Sequence, residues 1–175
     1  MKNRLMKAQR ILVYAVEIVI VALFVLYLGF MTQYYALFYD GTLEMFEYYK
    51  KLQVFNKEAF NLAIQFVVLG LVLLAFELHR NRRPGLVGLA YVLIMTWFVS
   101  MNSILLIRVI PKYKGGYLAL DFSSMEDYVP STFAFDAGLI LHYMLIGLLI
   151  IFTLVAISTF VQRLKEGHPI VRKLL

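Results

Sequence analysis

Four long apolar runs limit what this chain can fold into: residues 11–31, 61–78, 86–107 and 137–161. Each approaches the roughly 20 residues of helix needed to cross the hydrocarbon core of a bilayer. Unpaired backbone groups in lipid cost several kcal/mol, so helix is the conformation expected of all four runs. A soluble domain of 175 residues has no interior that could hide four helices apolar on every side. The first run exceeds the core of a removable leader and lacks a small-residue cleavage site, so it is expected to stay as a helix. The expected fold is an all-α membrane protein. It forms one integral membrane domain over 1–175, a bundle of four transmembrane helices with structured outer loops at 32–60 and 109–136.

Charge gives the orientation. Most of the 17 Lys and Arg residues fall in three short segments. These hold Lys2, Arg4, Lys7 and Arg10, then Arg80, Arg82 and Arg83, then Arg163, Lys165, Arg172 and Lys173. The 32–60 and 109–136 segments are slightly acidic instead. Cytoplasmic connections carry the excess of Lys and Arg, which predicts cytoplasmic N- and C-termini. With the compactness of the chain, it also suggests a bacterial cytoplasmic membrane. The net charge of +6 is then a topology signal, and without a basic stripe interleaved with stacking aromatics no nucleic-acid partner is expected. The expected partners are the lipid bilayer and either a second copy of the chain or another membrane protein.

The chain has no cysteine, which removes disulfides, thiolate nucleophiles and Cys-ligated clusters. Its three histidines, His79, His142 and His168, are too dispersed for a bis-histidine haem. No cofactor or metal is expected.

Pro84-Gly85 closes a short connection, so the second and third helices should be antiparallel neighbours. In the first outer loop Asp40-Gly41-Thr42 reads as a turn and a helix start. Leu43, Phe46, Leu52 and Phe55 would form an apolar stripe lying on the membrane surface. Lys114-Gly115-Gly116 opens a second loop expected to be irregular. Both loops are rich in tyrosine: Tyr34, Tyr35, Tyr39, Tyr48, Tyr49, Tyr113, Tyr117 and Tyr128. These rings form either an interfacial aromatic belt or a folded cap that presents them to a partner.

Glu17 is a carboxylate inside the first apolar run, and such groups are functional candidates because they are costly in lipid. Tyr91 is expected at the same depth, with Thr153 or Ser158 approaching from the fourth helix. One reading is a proton or cation site; the other is a structural carboxylate bound to Tyr91 or reaching Arg10 or Arg163. A second polar group gathers toward the outer face. Asn61 and Gln65 share a helix face, Asn102 has Ser100 and Ser103 nearby, and Arg108, His142 and Gln33 lie close to the same depth. They either line a small pocket or act as interhelical hydrogen-bond glue.

Asp121 and Asp136 raise the possibility of an aspartate pair that shares a proton and activates water. Leu120-Asp121-Phe122, Asn56-Lys57-Glu58-Ala59-Phe60 and Thr132-Phe133-Ala134-Phe135-Asp136 resemble motifs of lipoprotein signal peptidase (signal peptidase II). That resemblance implies four helices with inside termini and a catalytic dyad of Asp121 and Asp136. The chain departs from the pattern at the end of helix three, where only Asn102 and a displaced Arg108 stand, and at Phe133, where the family has Asn. Three functions stay open. The leading one is a non-enzymatic assembly or interaction subunit acting through its aromatic outer loops. The others are a small channel or transporter using Glu17, and a diverged intramembrane aspartyl peptidase.

Overall fold

The computed structural model describes residues 2–30, 42–78, 85–123 and 129–165. Four helices account for nearly all of them: α1 (Lys2–Phe30), α2 (Leu43–Leu78), α3 (Gly85–Leu118) and α4 (Phe133–Lys165). All four are long and apolar enough to cross a membrane, as an integral membrane protein requires. Each helix packs on its neighbours in sequence, and α4 closes the ring against α1. The turn at 79–84, the basic residues Arg172 and Lys173, and Gln33, Tyr34, Tyr35, Tyr39, Tyr128, His79 and His168 lie outside the described residues.

The bundle is apolar inside and out. Ile20, Leu23, Phe66, Met95, Leu145, Leu149 and Phe152 fill its centre. Ile18 and Val25 on α1, Ile94 and Trp97 on α3, and Ile150 and Leu154 on α4 face outward. A surface like that suits lipid as solvent, and packing between the helices then rests on shape and aromatic contact rather than on exclusion of water. Phe24 stacks on Phe60 across α1 and α2 at 5.4 Å, and Phe66 meets Phe98 edge-on across α2 and α3 at 6.4 Å.

The helices outrun the apolar segments. α2 has 36 residues, about 54 Å at 1.5 Å per residue, and its first turns lie in what was expected to be a loop. Its start matches the sequence: the Met45 amide donates to Thr42 Oγ1 at 3.4 Å, and Glu44 sits in the first turn, where it complements the helix dipole. The expected surface-lying stripe does not form. Leu43 and Phe46 are exposed while Phe55 is buried, because one inward-facing row runs unbroken through Met45, Leu52, Phe55, Ala59, Ala63, Phe66 and Leu73. A row repeating every three or four residues stays on one side of one helix, so the polar stretch before residue 61 continues α2 instead of folding over the membrane.

α3 extends similarly. Its buried row of Val99, Ser103, Leu106, Ile110 and Tyr117 passes Pro111 and the Lys114-Gly115-Gly116 segment, which is helical rather than irregular. The glycine there serves close approach: a Cβ at Gly116 would stand 3.1 Å from the Tyr48 ring, whereas one at Gly115 would meet nothing. The extensions of α2 and α3, with the segment leading into α4, enclose a second small core of Met45, Tyr117 and Leu120, flanked by Tyr48, Tyr49, Phe122 and Phe135. Phe55 stacks on Tyr113 at 4.6 Å at its base. This cap stands at the end of the bundle away from the described chain ends.

The two adjacent glycines should respond oppositely. Gly115→Ala should raise stability by up to about 1 kcal/mol, since glycine is a poor helix former. Gly116→Leu should lower it by about 1–3 kcal/mol through overpacking against Tyr48. Chemical unfolding in detergent micelles, followed by tyrosine fluorescence, would measure both.

Candidate functional site

Glu17 projects from α1 onto the backbone of α2. A Cβ built at Gly70 would lie 2.7 Å from Glu17 Oε2 and 2.8 Å from its Cδ, so a side chain there would make the carboxyl group move aside. The expected partner is engaged elsewhere: the Tyr91 hydroxyl donates to the Leu69 carbonyl at 2.6 Å, and its ring meets Phe76 edge-on at 4.8 Å. Tyr91 thereby fixes α3 against the backbone next to Gly70, within electrostatic reach of Glu17. Glu17 Oε1 is buried and has no hydrogen-bond partner among the described residues. Arg10 is exposed, and the Arg163 side chain lies outside the described residues. The two hydroxyls expected from α4 also have other partners. Thr153 bonds Thr96 at 2.9 Å, and Ser158 donates to its own helix at Leu154. The site is therefore a carboxyl group in a glycine notch, at the contact of α1 and α2.

The outer polar residues do not converge. Of Asn61, Gln65, Asn102, Arg108 and His142, only His142 is buried. Asn61, Gln65 and Arg108 are exposed, and Asn102 donates to the Phe98 carbonyl one turn back on its own helix at 2.8 Å. His142 joins a different set. Its Nε2 lies 2.8 Å from the Tyr27 hydroxyl and its Nδ1 lies 3.2 Å from Ser103 Oγ. A neutral imidazole has one donor and one acceptor, and two hydroxyls satisfy both in either tautomer. The Tyr27–His142–Ser103 chain thus ties α1, α4 and α3 together through the middle of the bundle. Tyr27 was not among the expected site residues. The signal that could have found it was a lone phenol on the same helix face as Ile20 and Leu23.

Asp121 and Asp136 have separate partners. Asp136 opens α4: its carboxylate takes the Lys114 ammonium at 2.6 Å on Oδ1 and the Thr132 hydroxyl at 2.8 Å on Oδ2. Asp121 is exposed, and its Oδ1 accepts the Ser123 amide at 2.9 Å. Hydrogen bonds from the side chain and backbone of Ser123 hold the Asp121 carboxyl below the usual carboxylate range. A dyad that shares one proton needs close carboxyls and a raised pKa on one of them. Here no hydrogen bond links the two among the described residues.

Tyr48 and Tyr117 of the cap are turned inward. The Tyr48 hydroxyl donates to the Tyr113 carbonyl at 2.7 Å, the Ser131 amide donates to the Tyr117 hydroxyl at 3.2 Å, and Tyr117 packs between Phe122 and Phe135. They form the cap's interior and hold α2 to α3.

The notch can be tested by a double-mutant cycle. Gly70→Ala alone should cost up to about 1 kcal/mol, because moving the flexible end of Glu17 aside outweighs the gain from a better helix former. The same change made on Glu17→Ala should cost much less, leaving a coupling of about 1 kcal/mol or more. Equal costs in the two backgrounds would mean that the residues do not touch.

No protein-family model, curated protein or solved structure matches this chain.

Proposed function

We propose that this chain is a non-enzymatic assembly subunit of a membrane complex and that its cap receives a partner protein. The observation that carries this reading is apolar surface where lipid does not reach. α2 and α3, at 36 and 34 residues, exceed the roughly 20 residues that cross the hydrocarbon core, so their far ends stand well beyond it. At that end Leu43 is 75% exposed, Leu118 60%, Val129 82% and Phe133 69%. Charged residues around them, Glu44, Glu47, Lys50, Lys51 and Lys112, are exposed as well, as expected of a surface facing water. An apolar surface rimmed by charge in water is characteristic of a protein contact. The carboxylates of the cap fit this better than hydrolysis, since Asp136 is held by Lys114 and Thr132.

Leu118→Asp with Val129→Asp should leave helix content and folding intact while removing the species that contain a second protein from mild-detergent extracts run on native gels. A wild-type chain that migrates with no other protein would defeat the proposal.

A second reading rests on the unpartnered oxygen of Glu17. A desolvated carboxyl group inside a bundle can take up a proton or a small cation. In liposomes, Glu17→Gln should then abolish pH-dependent ion flux, and flux equal to wild type would reject a transport role.

A further inference from the structure

The outward faces of the four helices are not alike. Those of α1, α3 and α4 are mainly apolar, with Ile11, Ile18, Val21 and Val25 on α1, Leu93, Ile94, Trp97 and Met101 on α3, and Ile140, Ile150, Ile151 and Leu154 on α4; their exposed polar side chains include the phenols of Tyr14 and Tyr143 and, toward the outer end of α3, Arg108. The exposed hydroxyl of Ser158 on α4 is bonded within its own helix. α2 alone places carboxamides on this surface, at Asn61 and Gln65. Among the described residues neither carboxamide is hydrogen-bonded.

Their depth makes this costly. The exposed charges of Lys57 and Glu58 mark where α2 leaves the hydrocarbon. Gln65 lies two helical turns further in, about 10 Å at 1.5 Å per residue. An amide facing acyl chains has no partner there, whereas one facing another helix does. Asn61, Gln65, Val68 and Val72 form one exposed row at alternating spacings of four and three, the repeat that keeps a seam pointed at a neighbouring helix.

We propose that this seam is the interface of a parallel, two-fold symmetric dimer, with α2 of a second copy as its occupant. A carboxamide carries both a donor and an acceptor, so two copies of Gln65 satisfy each other, as do two copies of Asn61. All copies of a chain of one topology cross the membrane in the same direction. A two-fold axis along the membrane normal therefore brings each amide to its counterpart at the same depth. Val68 and Val72 continue the contact inward with β-branched side chains, as in two-stranded coiled coils. The seam and the cap are separate surfaces, so the dimer stands or falls independently of what the cap binds.

Because the natural chain has no cysteine, single-cysteine variants report this contact without background. Asn61→Cys and Val68→Cys, each retaining Gln65, should give covalent dimers when native membranes are oxidised with copper phenanthroline. Val25→Cys and Ile150→Cys, on other lipid-facing surfaces, should stay monomeric. Adding Gln65→Leu to Val68→Cys should reduce the cross-linked fraction roughly fivefold, the effect expected of losing a pair of membrane amide bonds. Adding Gln65→Asn should reduce it less. Monomer at both seam positions, or equal cross-linking on all faces, overturns the dimer. Adducts at 61 and 68 with the mass of a different protein overturn the second copy as occupant and leave the assembly role standing.

Discussion

The need of a helix in lipid to satisfy its own backbone, and then to find shape rather than dryness in its neighbours, governs this molecule. Four rods meet the first requirement outright. The second is met by inward rows that repeat every three or four residues, and on α2 and α3 these rows do not stop where the membrane does. The same spacing that packs Phe66 and Met95 within the apolar runs packs Met45 and Tyr117 beyond them. The cap is therefore a continuation of the bundle, and Tyr48, Tyr113 and Tyr117 help to hold it together.

The fold was legible where the physics of lipid writes directly into composition. Four apolar runs gave four helices, and Thr42 marked the start of α2. The helix ends beyond the membrane were hidden because the end of an apolar run marks the edge of the lipid, not of the helix. Lys112, Lys114 and two glycines look like a loop in composition, yet Ile110 and Tyr117 keep the helical phase across them. Gly116, expected in an irregular loop, marks a close approach of Tyr48 to the α3 backbone.

The candidate sites were half legible for a related reason. Unusual residues stood out, but their partners could not be read, because partners are set by helix phase. Ala59, Ala63 and Phe66 point inward, which turns Asn61 and Gln65 outward and away from His142. The depth of Glu17 beside Tyr91 was legible. That the Tyr91 hydroxyl would donate its hydrogen bond to the Leu69 carbonyl, leaving the carboxyl group to a glycine, is set by how the helices pack. The resemblance to a peptidase placed Asp121 and Asp136 in one region of the chain but not in one network.

α2 carries the cap's aromatic contacts at one end, the amide row near its middle and the Gly70 notch toward the other end. Between Leu43 and Leu69 it has neither proline nor glycine, so it bends little and acts as a lever. A tilt of about 5° around its midpoint moves each end by about 2 Å. Gly70, about ten residues from that midpoint, moves by about 1 Å. A displacement of its far tip is thereby carried along one stiff element to the stretch of backbone on which the Glu17 carboxyl group rests.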